Sequence, residues 1–239
     1  MKVKRAADSK VNILWKIPMF NFLDSDELDD LYSLTTKTLY RKNEYIYQEC
    51  EHPRRLFIVE SGGVKLLKQS EDGREMILEI AVAGDLFGEV ALFDGKPYAE
   101  TAQALEDSQI LTIERSGYFD FLRKNPDVTL EIITEMGALL RTYQDTIRAL
   151  AAERVEWRIA RVLLNLSRKS GVAQNKRISI DIPITRKDLA EMAGTTVETA
   201  IRVISNFKKL GVIETQRKKI VIINLKYLES MVNEGCVAP

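Results

Sequence analysis

Two side chains four residues apart, Glu198 and Arg202, offer the most legible chemistry in this sequence. On a helix, residues at that spacing share one face and can support each other. An Arg presents donors that suit guanine O6 and N7 in the major groove of DNA, and a Glu accepts from cytosine N4. Val197 and Ile201 lie on the same outward turns. A surface ion pair on an ordinary helical hairpin would look the same at this level, so a second signal is needed. Catalysis has less to work with. With the single histidine His52 there is no His-based triad or multi-His metal site, and the chain has neither a P-loop nor GxSxG. The Asp and Glu residues are scattered, with no motif that pairs them for acid–base work, so an enzyme is the weakest reading.

The elements that must position the pair run from Thr185 to Gly211. Thr185 stands where an N-cap belongs, and Asp188 can answer it from the first turn. Leu189, Met192 and Ala193 mark an apolar face at helical spacing, and Gly194 breaks the pattern as the turn of a helix-turn-helix often does. Thr195 or Thr196 can cap a second helix, at about 196–210, whose buried stripe is Ala200, Val203, Ile204, Phe207 and Leu210. Gly211 then serves as C-cap. Base-reading side chains on the leading turns of a second helix are the arrangement of a DNA-reading head.

The second signal is charge. The chain is neutral overall, but residues 153–226 hold 16 Lys and Arg against 7 Asp and Glu, a net of +9. Residues 1–152 hold 19 basic against 26 acidic residues, a net of −7. A basic module is thus joined to an acidic one, and basic charge gathered around a helix pair is the footprint expected for phosphate backbone. The 239 residues suffice for one or two domains with real cores. No apolar run approaches 18 residues and no export signal is recognisable, which predicts a cytoplasmic protein. Cys50 and Cys236 are too few and too far apart for a zinc knuckle, and a reduced setting fits.

The remaining chain divides by periodicity. Residues 13–34 suggest short helices with Ser25 as a cap. From Thr38 to about Arg115, short β-type runs (EYIYQ, RLFIVESG, VKLLKQ, MILEIAVAG, TAQALED, SQILTIER) alternate with turn signals, Asp72-Gly73 among them as a hairpin tip. That spacing predicts an antiparallel sandwich or barrel. After Pro126 a long helix follows, with Ile132, Met136, Leu139, Tyr143, Ile147 and Leu150 spaced as a seam for a second copy. A bend falls at Ala151-Ala152-Glu153-Arg154. Val155 to Ser170 is a further amphipathic helix with Ile159, Val162, Leu163 and Leu166 inward, and residues 171–176 read as a loop. RISIDIPI reads as a strand. VIETQRKKIVIINL closes the module as a hairpin wing with Gln216-Arg217-Lys218-Lys219 at its tip, where Lys218 and Lys219 suit phosphate or simply solubilise an edge strand.

From about Ile13 to Leu228 the sequence resembles the CRP/FNR family of bacterial transcription regulators. Three stretches carry the resemblance: Gly84-Asp85-Leu86-Phe87-Gly88-Glu89 with Ala91-Leu92-Phe93, similar to the family's phosphate cassette; the long helix leading into ARVLLNLSRKSG; and ITRKDLAEMAGTTVETAIRVISNFKKLGVIE followed by KKIVIIN. The resemblance implies an α+β architecture. An N-terminal antiparallel β-roll, a cyclic-nucleotide-binding-like jelly roll, would occupy 13–125, a long dimerisation helix 126–152 and a C-terminal winged helix-turn-helix 153–232. It implies base reading by Val197, Glu198, Ile201 and Arg202, and phosphate contacts from Thr185, Arg186, Thr196 and Lys218. The Val-Glu-Thr run is closer to the FNR branch than to the CRP branch. A two-fold dimer would then meet a palindromic site with half-sites about one helical turn apart.

The sensor departs from the family pattern. The cyclic-AMP branch follows its cassette with an Arg-Ser pair, whereas here Lys96-Pro97 runs into Tyr98-Ala99. Its two adenine-facing hydroxyl residues are replaced by Tyr143 and Gln144. A buried phosphate without its cation is costly, so cyclic AMP is not expected. The candidate effector pocket comprises Gly88, Glu89, Tyr98, Ala99, Tyr143 and Gln144. The cysteine cluster of the FNR oxygen sensor is missing, which excludes that iron–sulfur centre. Cys50-Glu51-His52 sits on a turn and leaves haem, another small effector, redox sensing through Cys50, or no ligand as open alternatives. The expected function is a homodimeric, sequence-specific DNA-binding regulator, with RNA polymerase a further partner by resemblance. The competing class is an effector-binding regulatory module acting on a protein partner, against which the intact reading head argues.

Overall fold

The computed structural model describes residues 13–174, 177–216 and 219–234. They fall into two compact units, one gathering the residues up to Val64 with Ala81–Leu140, the other Lys65–Ile80 with Arg141 onward.

In the first unit, two 3-10 turns (Leu14–Lys16, Pro18–Phe20) and helix α1 (Ser25–Ser33) precede the strands. Asp24, rather than Ser25, caps α1: its carboxylate accepts from the Asp26 and Glu27 amides, and Glu27 accepts in return from the Asp24 amide. An ionised cap is the stronger partner for those amides and for the helix dipole. Strands β1 (Thr35–Tyr40), β2 (Tyr45–Tyr47) and β3 (Arg55–Ser61) follow, then β4 (Gly63–Gln69), β5 (Glu75–Val82) and β6 (Leu86–Phe87). A short helix α2 (Glu89–Asp94) leads to β7 (Thr101–Ala104) and β8 (Ser108–Glu114). One antiparallel sheet is ordered β1-β8-β3-β6, with Ile58 opposite Leu111 and Phe57 opposite Thr112 at its centre, while β2 pairs with β7. Ile110, Leu111 and Ile113 are fully buried, as expected of a strand covered on both faces. Helix α3 (Arg115–Lys124), which the sequence reading left out, and the start of α4 (Pro126–Ala152) pack their Tyr118, Phe121, Val128 and Ile132 on that sheet with Leu14, Phe20 and Leu28.

This packing corrects the seam. Ile132 and Met136 belong to the unit's own core. The large apolar residues of α4 left exposed are Leu130, Ile133, Leu140 and Ile147. Gly137 and Gln144 complete a 4-3-4-3 spacing from Ile133 to Ile147, a stripe that lies roughly one residue round the helix from the expected seam.

In the second unit, β4 and β5 meet at the Asp72-Gly73 tip, where the Gly73 amide donates to Ser70 O at 2.9 Å. Helix α5 (Val155–Ser170) buries Ile159, Val162, Leu163 and Leu166 as its periodicity predicts. Residues 171–174 are not loop but strand β9 (Gly171–Gln174), paired with β10 (Arg177–Ile180). After α6 (Arg186–Met192) and α7 (Val197–Lys209), strands β11 (Ile213–Gln216) and β12 (Lys219–Ile222) complete a sheet ordered β11-β12-β10-β9. A last helix, α8 (Leu225–Glu234), absent from the sequence reading, packs on α5 and fully buries Leu228.

Candidate nucleic-acid interface

Helices α6 and α7 owe their positions to local devices written in single residues. Thr185 caps α6 in a reciprocal box: its amide donates to the Asp188 carboxylate at 2.8 Å, and the Asp188 amide donates back to Thr185 Oγ1 at 3.1 Å. Thr196, not Thr195, caps α7, accepting from the Thr199 amide at 3.3 Å. Between the helices, Gly194 has φ +57°, and a Cβ there would lie 2.7 Å from Leu150 Cδ2. Glycine suits the left-handed turn, and any larger residue would have to displace the end of the Leu150 side chain. Arg158 then fixes the turn. Its guanidinium donates to Ala193 O at 2.8 Å, Gly194 O at 3.2 Å and Glu153 O at 3.0 Å. One side chain thereby ties three carbonyls, at the bend after α4 and at the turn before the reading helix. Arg158 is not foreseen from the sequence. A charged residue on α5 carries no signal of distant carbonyls.

The far end of α7 is closed by glycine as predicted, with one correction. Leu210 is 55% exposed and not part of the buried stripe. The Gly211 amide donates to Lys208 O and the Val212 amide to Phe207 O, a Schellman closure. Val212, 2% exposed, takes the core position that helical periodicity would give Leu210.

With Ala200, Val203, Ile204 and Phe207 buried, the opposite face of α7 is presented outward. Glu198, Ile201 and Arg202 are exposed and Val197 is half-buried. Among the described residues neither Glu198 nor Arg202 has its side chain engaged in an ion pair or hydrogen bond. Thr185 and Thr196 are exposed at their helix starts, where unpaired amides attract anions. Arg186 follows Thr185 and is half-buried, and desolvation lowers its guanidinium below the ordinary value. Lys218 lies outside the described residues. Lys219, next to it in sequence, pairs with Asp181, an exposed pair of the kind worth little in water.

Further basic charge of this unit is partnered internally. Lys187 donates to Glu75 at 2.8 Å and pairs with Glu191 at 3.1 Å, and Lys65 stands 3.7 Å from the buried Asp188. The Lys187 contact holds the Glu75 carboxyl below its usual range and raises the Lys187 ammonium.

The candidate effector residues of the first unit have another occupation. Gly88, at φ +79°, starts α2. A Cβ there would meet Phe57 at 3.1 Å and Tyr98 at 3.4 Å. Tyr98 is buried and stacks on Tyr47 with ring centroids 3.8 Å apart, while Phe57 and Phe87 extend the cluster. The Tyr98 hydroxyl donates to Arg55 O at 3.3 Å, and the Tyr47 hydroxyl to Glu100 at 3.0 Å. Burial pushes the Tyr98 hydroxyl up to about 12. Glu89 is half-buried and Ala99 exposed. Tyr143 and Gln144 sit on α4 in the second unit, half-buried and exposed respectively. Cys50 is exposed with φ +70°, its amide donating to Tyr98 O at 2.9 Å, and His52 is exposed beyond it. Among the described residues no cluster of three or more His, Cys, Asp or Glu is placed to hold a metal ion.

Known proteins align along nearly the whole chain. Residues 37–125 match the cyclic nucleotide-binding domain family, and residues 157–231 match the Crp-like helix-turn-helix domain. The Anaerobic regulatory protein of Bacillus subtilis is 30% identical over 219 residues, covering 90% of this chain and 92% of the relative. The CRP-like cAMP-activated global transcriptional regulator of Mycobacterium tuberculosis is 25% identical over 183 residues, 77% and 82% of the two chains. Among solved structures, FixK2 from Bradyrhizobium japonicum superposes with a TM-score of 0.74 at 27% identity, covering 82% of this chain and 96% of that one.

Proposed function

This chain belongs to the CRP/FNR family of transcription regulators, and on that premise we propose that it reads a palindromic DNA site through Glu198 and Arg202. It is a DNA-binding regulator of transcription, not an enzyme. The observation that carries the residue assignment is the outward presentation of these two side chains on a helix anchored by its opposite face. Arg202 pairs with guanine and Glu198 with the partner cytosine, while Val197 and Ile201 line the same face. Thr185, Arg186, Thr196 and Lys218 hold the phosphates on either side. The division into 13–125, 126–152 and 153–232 belongs to this proposal, supported by the extents of the two matching domains.

The exposed stripe from Ile133 to Ile147 is the surface we assign to the second copy, since an apolar stripe at heptad spacing is covered most simply by its own symmetry mate. Cyclic AMP, which activates the M. tuberculosis relative, is not proposed as the effector here. Tyr98 replaces the phosphate-binding arginine and is committed to the Tyr47 stack. RNA polymerase is a further partner by family membership. The cytoplasm is the compartment where DNA of this kind is met, and no described helix is long and apolar enough to cross a membrane.

A mobility-shift assay with the upstream DNA of the protein's own gene tests the reading. Retarded DNA that resists unrelated competitor is expected. Retardation abolished equally by any duplex would show phosphate binding alone.

A further inference from the structure

We infer that the hairpin of β4 and β5 is an autoinhibitory latch, which holds the first helix of the reading head by charge and competes with DNA for it. The inference rests on the reading-head assignment above and concerns how that head is restrained.

The outer part of the hairpin and the head belong to one compact unit. Alternate residues of a strand share a face, so Glu75, Ile77 and Glu79 of β5 line up together. Ile77 is 2% exposed, which shows that this face is covered. The two carboxylates flanking it reach two different helices of the head. Glu75 accepts from Lys187 on α6 at 2.8 Å, and Glu79 accepts from Lys169 in the last turn of α5. Lys169 also donates to Ile80 O at 3.2 Å. From β4, Lys65 stands 3.7 Å from Asp188, with both side chains at most 10% exposed. The hairpin thereby neutralises two lysines of the basic module, and its own lysine faces the residue that completes the capping box of α6.

A join built for stability alone would look different. Glu75 and Glu191 share the single Lys187 ammonium, and among the described residues the buried Glu191 Oε2 has no hydrogen-bond partner. Desolvation pushes the Glu191 carboxyl up, against the pull of Lys187. A buried acceptor left unsatisfied costs stability that undocking restores. The Lys187–Glu75 pair is itself partly exposed and therefore weak. Such a latch holds until a stronger anion arrives. Duplex DNA carries a dense row of negative charge, and Lys187 directly follows Thr185 and Arg186, the residues assigned to phosphate. While Glu75 occupies Lys187, that ammonium cannot meet a phosphate, and the carboxylate repels one.

The test measures the affinity of the full-length protein for the duplex it enriches from random DNA. Glu75→Gln is expected to bind about two- to fivefold more tightly than wild type, the equivalent of one partly exposed ion pair. Combining it with Glu79→Gln is expected to tighten binding further. Glu71→Gln removes the same charge from the exposed tip of the same hairpin, outside these contacts, and is expected to leave affinity unchanged. In a Lys187→Gln background the latch is already open, so Glu75→Gln is expected to add nothing. Unchanged affinity in Glu75→Gln overturns the inference alone. So does an equal gain from Glu71→Gln, or a gain that persists in the Lys187→Gln background, because either would show general charge repulsion. Wild type and variants that all fail to enrich any sequence overturn the reading-head assignment and this inference together.

Discussion

The β-roll and the winged head treat their chemistry-bearing side chains in opposite ways. In the β-roll, Tyr47 and Tyr98 stack on each other, join Phe57 and Phe87, and direct their hydroxyls at Glu100 and the Arg55 carbonyl. In the head, Glu198, Ile201 and Arg202 are left outward while the helix beneath them is pinned by caps, a Schellman closure and Arg158. Groups that the fold consumes serve stability, and groups that a rigid element presents serve recognition. The segment from Gly84 to Glu89 thus serves packing in the one, and Glu198 and Arg202 stand free on the surface in the other.

This contrast can be broken by exchanging the readouts. Phe87→Ala, at a site 1% exposed in the aromatic cluster, is expected to cost about 3–5 kcal/mol of stability. Denaturant unfolding measures the loss, and the sequence preference of the protein that remains folded should not change. Arg202→Ala is expected to do the reverse, relaxing discrimination at one G·C pair by about 1–3 kcal/mol with unfolding unaltered. A mutant that moves both readouts would dissolve the distinction between the two regions.

Arg158→Met sharpens it from the side of support. The guanidinium is spent on backbone carbonyls, and its loss leaves those of Ala193, Gly194 and Glu153 without their donor, at about 1–3 kcal/mol. Affinity for the specific site should fall more than affinity for unrelated DNA, because register is lost before charge is. Equal losses on both DNAs would make Arg158 merely structural.

The smallest effect concerns the Lys187–Glu75 contact. The hydrogen bond from Lys187 lowers the Glu75 carboxyl below its ordinary value of 4.5. A carboxyl depressed in the folded state adds stability that is present above the unfolded pKa and disappears as pH falls through the folded one. The pair is solvent-exposed on the lysine side, so the contribution is small. An NMR titration should place the Glu75 midpoint below 4.5 in the wild type and return it toward 4.5 in Lys187→Met. Coincident midpoints would remove the contact from solution.

The same contrast explains what the sequence makes legible. Caps and closures of α6 and α7 are short-range events, so Thr185, Asp188, Thr196 and Gly211 announce them within a few residues. Helix α3 begins straight after β8 without a side-chain cap, and Arg115-Ser116-Gly117 looks like a turn until Tyr118, Phe121 and Leu122 find the sheet. Strand β9 is four residues whose identity comes from pairing with β10. The long helix α4 carries apolar residues on two neighbouring faces, and only the core around Ile132 and Met136 decides which face remains outward. Arg158 was illegible for the same reason, as its acceptors are carbonyls brought near by the fold.

Selection from random duplex DNA by the full-length protein, repeated with Arg202→Ala, addresses the central claim most directly. The account predicts an inverted repeat with half-sites about one helical turn apart, each holding a G·C pair whose preference vanishes in the mutant. An identical repeat enriched by wild type and mutant alike would contradict it.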